Sequence, residues 1–140
     1  MSGQMLLDTG PLVAYLIREE ACHDWANSVL FQTSQPLLTC EAVLAEACHI
    51  LRNTVGAPEA VIELVVCGAI RVAFGIGGNA RELHALMRKY GDLPMSLADA
   101  CLVRMAETAE EATVITMDGH FRIYRTHGRR VIPTIMPPGK

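Results

Sequence analysis

The sequence predicts an α/β fold, a parallel sheet covered by helices on both faces, and three observations lead there. Met5-Leu6-Leu7-Asp8-Thr9-Gly10-Pro11-Leu12-Val13 reads as an apolar strand that ends in a carboxylate and runs at once into a helix. Short apolar segments then alternate with runs of helical periodicity along the chain, the pattern of βα units in a parallel sheet. The 140 residues, 51% hydrophobic and 19% charged, suit one globular domain over 1–140 with a real core.

In the first unit, Gly10 permits a tight turn. Pro11 suits the first helical position, where a missing N–H costs nothing. That helix covers 11–17 and ends near Arg18-Glu19-Glu20. A second helix is expected over 21–32, with Trp25, Val29 and Leu30 at helical spacing. Gln35-Pro36 breaks it, and Leu37-Leu38-Thr39 is the second strand. A strongly helical run over 40–53 carries Val43, Ala47, Ile50 and Leu51 as an apolar stripe. Gly56-Ala57-Pro58 separates it from a helix over 59–67, and a third strand covers 69–74. After the turn Gly75-Ile76-Gly77-Gly78, Asn79 caps a helix over 80–90 that Gly91 ends. Asp92-Leu93-Pro94-Met95 is a loop, and Ser96 starts a helix over 97–109. Thr113-Val114-Ile115-Thr116 is the fourth strand, a short helix follows Asp118, and Val131-Ile132 is a candidate last strand. Pro137-Pro138-Gly139-Lys140 is expected to fray.

Net charge is −3, so nucleic-acid binding would need a local basic patch rather than a basic surface. The five cysteines are odd in number and form no CxxC. They read as small buried residues of a reducing cytoplasm. Cys22-His23 and Cys48-His49 are adjacent pairs that point apart on a helix, so neither is a natural zinc clamp. The N-terminus lacks a basic n-region, and Asp8 interrupts its apolar run, unlike a signal peptide. The longest apolar run, over 64–70, is too short to span a membrane.

Four carboxylates stand out. Asp8 lies at the carboxyl end of a strand, on the rim where open α/β sheets bind ligands, although a turn or cap would explain it alone. Glu46 falls on the helical wheel between Val43 and Ile50 on one side and Ala42 and His49 on the other. An acid beside a core stripe needs a metal or an ion-pair partner. Glu41 instead reads as a first-turn acid that complements the helix dipole. Asp99 forms Ser96-x-x-Asp99, close to a capping box, and shares a face with Leu102, Val103 and Ala106. Asp118 follows the fourth strand as a helix N-cap, with Thr116 near enough to orient it through its hydroxyl. If the sheet gathers all four, they cannot all stay ionised unaided. Two unit charges 4 Å apart repel by about 4 kcal/mol at an effective dielectric near 20. A divalent cation removes that repulsion, and oxygen-only ligands select Mg²⁺ or Mn²⁺ over zinc.

These residues resemble the PIN-domain ribonucleases, in particular the VapC-like toxins of toxin–antitoxin pairs. The resemblance runs from Leu6 to about Pro133. It rests on Leu7-Asp8-Thr9 with the following Pro-Leu-Val-Ala, Glu46 in the third helix, Leu97-Ala98-Asp99-Ala100 opening a later helix, and Thr116-x-Asp118-x-x-Phe121. It implies a three-layer α/β/α sandwich and Mg²⁺- or Mn²⁺-dependent hydrolysis of RNA phosphodiesters. Asp8, Glu46, Asp99 and Asp118 are then the acidic quartet that holds the metal, and Thr116 and Thr9 are supporting hydroxyls. Two positions depart from a common form of the pattern. Gly10 stands where Asn or Ser is frequent, and His120 stands where a further acid is often found. The family also implies an antitoxin segment masking the site and a homodimer. Tyr15, Leu16, Trp25 and Leu30 are candidates for either surface or for plain core.

Arg122, Arg125, Arg129 and Arg130 follow Asp118 and form a candidate RNA-binding patch, a solvated face being the plainer reading. Other chemistries fit less well. Gly75-x-Gly77-x-x-Ala80 superficially matches a dinucleotide fingerprint, but no second strand ending in an acid follows it. There is no P-loop, since Lys140 is the last residue. An aspartyl-phosphate phosphatase would want an acid where Gly10 stands, and a phospho-receiver a lysine near its site, whereas Lys89 and Lys140 follow no strand. The alternative from another class is a non-catalytic module of the same fold that binds RNA or protein. Turnover separates it from the nuclease.

Overall fold

The computed structural model describes residues 3–32 and 34–139. Five parallel strands form the central sheet: β1 (Gln4–Leu7), β2 (Leu37–Thr39), β3 (Ile70–Val72), β4 (Ala112–Ile115) and β7 (Thr134–Ile135), in the order β3-β2-β1-β4-β7. The helices are α1 (Thr9–Leu16), α2 (His23–Val29), α3 (Glu41–Ile50), α4 (Ala57–Val66), α5 (Ala80–Lys89) and α6 (Leu97–Thr108). A two-stranded antiparallel ribbon, β5 (Arg125–Thr126) with β6 (Arg130–Val131), lies between β4 and β7 in the chain.

Strand alternation divides the core into two layers. Leu6 and Val114 point to one face, where they pack with Leu83, Leu102 and Val103 of α5 and α6. Leu7 and Ile115 point to the other face, against Leu12 of α1, Leu44 of α3 and Val61 of α4. α3 serves both layers, with Val43 in the first and Ala47 in the second. The result is the expected three-layer α/β/α sandwich. Helix α6 is its most deeply set helix, buried from Ala98 to Val103 behind the predicted Ser96 cap.

Several boundaries differ from expectation for physical reasons. Helix α1 begins at Thr9 with Asp8 as its N-cap, so Pro11 stands third, still among positions whose N–H has no intrahelical partner. Gly10 lies inside that helix and provides space rather than a special turn. A Cβ there would meet the Met117 Sδ at 3.2 Å. Helix α2 stops at Val29, and Phe31 turns the chain with a left-handed φ of 62°. Asn79 makes no side-chain cap to α5. Its Nδ2 donates to the Gly75 carbonyl, and its Oδ1 accepts from Arg104 Nε. Val131 does not enter the central sheet. It pairs with Arg125 across a hairpin whose His127 and Gly128 both take left-handed φ, as a tight twisted turn requires. The fifth strand is instead Thr134–Ile135, and Pro133 beside it accepts from Val114 N on the sheet edge, where a missing N–H is tolerated. Pro137 is buried rather than frayed, and Lys140 lies outside the described residues. Cys40 and Cys101 are buried as expected, but Cys67, just after α4, is exposed.

At the carboxyl end of the sheet, the Thr39 hydroxyl donates to the Leu7 carbonyl at 2.7 Å, with Thr39 fully buried. That bond anchors the last residue of β1. Thr39→Val keeps the shape and removes the donor, so the unfolding free energy should fall by about 1–2 kcal/mol in urea titrations. An unchanged midpoint would mean that strand pairing alone anchors β1.

Candidate active site

The carboxyl ends of β1 and β4 lie side by side because Leu7 is registered with Ile115. The ladder continues one residue further, where Asp8 N donates to the Ile115 carbonyl. Asp8 therefore leaves β1 level with Thr116. The Thr116 hydroxyl donates to Asp8 Oδ2 at 2.6 Å and accepts from Asp118 N at 2.9 Å. Sequence reasoning assigned this hydroxyl to Asp118, and the structure shows that it ties both acids. Asp8 Oδ1 accepts from Thr9 N, so both oxygens of this carboxylate are engaged.

Asp99 enters from α6. Its N–H donates to Ser96 Oγ at 3.0 Å, and its Oδ2 lies 3.5 Å from Ser96 N, a capping box with one long arm. Oδ2 also accepts from the Tyr124 hydroxyl at 2.9 Å. Asp118 caps the short 3₁₀ turn Gly119–Arg122, where its Oδ1 accepts from His120 N and lies 3.4 Å from His120 Nδ1. Among the described residues, the second oxygens, Asp99 Oδ1 and Asp118 Oδ2, have no hydrogen-bond partner.

An open cavity of about 650 Å³ brings Asp8, Glu46, Asp99 and Asp118 onto one lining, with Thr9 and His120 beside them. Glu46 is exposed on the α3 wall. It faces the cavity one turn before Ile50, which is 53% exposed and not part of the core stripe. Glu46 has no ion-pair partner among the described residues, so the arginine pairing weighed for it is not formed. The basic residues are not gathered there. Arg125 Nη1 donates to the carbonyls of Arg122, Ile123 and Tyr124, and Arg130 lines a separate cavity with Glu107 and Ala112 at the amino end of β4. Among the apolar candidates for a partner groove, Leu30 is core, whereas Tyr15, Leu16 and Trp25 are partly buried against it.

The electrostatics follow from burial. Asp8 is pushed up to about 6, first by desolvation and then by the nearby charges of Asp99 and Asp118, against the opposing bonds from Thr116 and Thr9. Burial likewise raises Asp99, with Asp118 adding to it. The Tyr124 hydroxyl is pushed well up by burial and then by Asp99, so it stays a donor.

A divalent cation fits this setting in chemistry. The four carboxylates are oxygen donors, Asp99 and Asp118 each keep one oxygen without a partner among the described residues, and like charge accumulates with no lysine or arginine among the described residues of the lining. Among the described residues, the Thr9 hydroxyl beside Asp8 is buried without a hydrogen-bond partner, an orphaned polar atom at the site. The coordination shell itself is not drawn together. Among the described residues, no three His, Cys, Asp or Glu side chains converge as a metal cluster. Tyr124 was not singled out from the sequence. Its only signal was its place one turn after Phe121.

The PIN domain family model matches residues 5–126 of the chain. Ribonuclease VapC26 of Mycobacterium tuberculosis is 28% identical over 127 residues, covering 89% of this chain and 94% of that protein. The fold is similar to that of M. tuberculosis VapC20, a sarcin–ricin loop cleaving toxin. Its crystal structure matches with a TM-score of 0.77 at 18% identity, over 91% of this chain and 99% of that one.

The raised Asp8 has a signed consequence for the metal-free protein. Below its ordinary value of 3.8 the group is neutral folded or unfolded, and its contribution to stability is fully present. As pH rises through about 6 the folded state must ionise a buried carboxyl, and that contribution, about 3 kcal/mol, is lost. With EDTA present, wild type should lose about that much more stability than Asp8→Asn between pH 4 and 7.5. Parallel urea curves for the two proteins would remove Asp8 as the group responsible.

Proposed function

Because the chain belongs to the PIN-domain family, we propose that it is a divalent-metal-dependent ribonuclease and the toxin of a toxin–antitoxin pair, acting as a single domain over 1–140. The observation that carries the reading is the assembly of Asp8, Asp99 and Asp118, from three separate elements, with Glu46 on one cavity at the carboxyl rim of a parallel sheet. The ribonuclease name of VapC26 and the RNA-cleaving description of VapC20 support it.

Asp99, Asp118, Asp8 and Glu46 would hold Mg²⁺ or Mn²⁺. When bound, such an ion makes water a nucleophile near neutral pH and stabilises charge on a phosphodiester. The other roles belong to the protein. Thr116 keeps Asp8 and Asp118 at one level. Buried Asp8 is a fixed negative wall, and exposed Glu46 is the member free to move toward substrate or ion. His120 sits on the lining where an incoming phosphate would pass. Arg122, on the same 3₁₀ turn, is the arginine best placed in sequence to follow the RNA backbone, with Arg129 and Arg130 more distant contacts. An antitoxin segment would occlude this cavity, and Tyr15, Leu16 and Trp25 are its candidate apolar contacts or those of a homodimer.

The test is cleavage of mixed single-stranded and structured RNA by the purified chain. Activity should require Mg²⁺ or Mn²⁺ and stop with EDTA. Asp99→Asn should lower the rate on the order of 1000-fold, the equivalent of several kcal/mol of transition-state stabilisation. Equal activity in the variant would place the chemistry elsewhere. RNA bound without turnover would favour the non-catalytic module.

A further inference from the structure

Resting on the metal-dependent reading above, we propose that Tyr124 is a positioning residue that limits Asp99 to one free carboxylate oxygen and thereby favours Mg²⁺ or Mn²⁺ over Ca²⁺. The side chain is completely buried. Its ring is set edge-on against Phe121 at 5.1 Å and Tyr90 at 5.0 Å, which leaves it no room to swing. Tyr90 in turn accepts from Arg125 N at 3.0 Å, fixing the residue that follows Tyr124. The hydroxyl therefore arrives at Asp99 Oδ2 from a rigid mount, at 2.9 Å. The other donor toward Oδ2, Ser96 N, stands at 3.5 Å and holds it weakly.

With Oδ2 committed to Tyr124, chelation through both oxygens of Asp99 is disfavoured, and Oδ1 is the oxygen it offers most readily, since an accepting oxygen keeps only its remaining lone pair for an ion. Ca²⁺ takes six to eight oxygens at longer distances and readily accepts both oxygens of one carboxylate. Mg²⁺ demands octahedral geometry, keeps several waters and is served by single oxygens. A carboxylate held to one oxygen suits the smaller ion. Removing the hydroxyl frees Oδ2, so Asp99 can chelate, and the larger ion gains.

The experiment uses the full chain, stripped of metal, as wild type and Tyr124→Phe. Calorimetric titration and thermal shift are run with Mg²⁺, Mn²⁺ and Ca²⁺ separately. In wild type, Mg²⁺ and Mn²⁺ should bind more tightly than Ca²⁺. In Tyr124→Phe the Mg²⁺ Kd should rise about 10- to 100-fold, the usual range for loss of an outer-shell partner, while the Ca²⁺ Kd stays or falls. An equal loss for all three ions, or no change, overturns the proposal, since a role in packing alone moves them together. A second measurement needs no variant. The Tyr124 hydroxyl proton should stay hydrogen-bonded by NMR when wild type is saturated with Mg²⁺, and its release overturns the proposal even if Tyr124→Phe fails to fold. Absence of any ion binding in wild type, matched by Asp99→Asn, would overturn the metal reading itself. Ion binding without altered selectivity would overturn only the role of Tyr124.

Discussion

The candidate site depends on the pairing of β1 with β4. These strands meet only because the chain places its first and fourth strands side by side at the centre of the sheet, with Leu7 opposite Ile115. That register makes Asp8 and Thr116 neighbours, and the Thr116 hydroxyl then fixes Asp118 by its backbone. A slip of one residue would turn every side chain of β1 to the opposite face and break the two-sided core. Packing and site thus specify the same register. The alternation of Leu6 and Leu7 into separate layers gives the fold its core, and the same alternation delivers the carboxylate that follows to the rim.

The acids around that register work against the fold. Each is tied down by donors from the protein: Asp8 by Thr9 N and the Thr116 hydroxyl, Asp99 by the Tyr124 hydroxyl and, at longer range, Ser96 N, Asp118 by His120 N. Those donors offset desolvation without neutralising charge, which is why Asp8 and Asp99 remain raised. A salt bridge from one arginine would relieve the strain and close the cavity. Arg104, the nearest basic residue on α6 in sequence, instead pairs with Glu107 and Glu82. The unneutralised charge is what an incoming cation would find.

Much of this was legible in the chain. Met5 to Asp8 and Thr113 to Thr116 announced themselves as strands by composition, and Ser96-x-x-Asp99 announced a helix start by its capping chemistry. The four acids were each ambiguous alone and gained meaning from order and spacing. What the chain concealed depends on tertiary contact. Thr134-Ile135 is no longer and no richer in strand formers than Val131-Ile132, so propensity could not choose between them, and pairing with β4 decides it. Arg125 reads as a surface cation, but its guanidinium closes the carbonyls of the preceding turn. Ile50 reads with Leu51 as part of the helical stripe of α3, yet Leu51 is buried while Ile50 turns out of the core and emerges at the cavity beside Glu46. Tyr124 was invisible because its importance lies in one hydroxyl meeting one oxygen across 25 residues of chain.

The hydrogen bond between Asp8 and Thr116 joins positions 108 residues apart. Contacts of such sequence separation form late, after loop closure has been achieved by the intervening units. During synthesis the first strand leaves the ribosome long before its central neighbour exists. Asp8 stays an ordinary solvated acid until β4 emerges, and Asp118 and Tyr124 arrive only with the last stretch of chain. In a nascent polypeptide of this kind the carboxylates cannot be gathered on one rim until the last strands are in place.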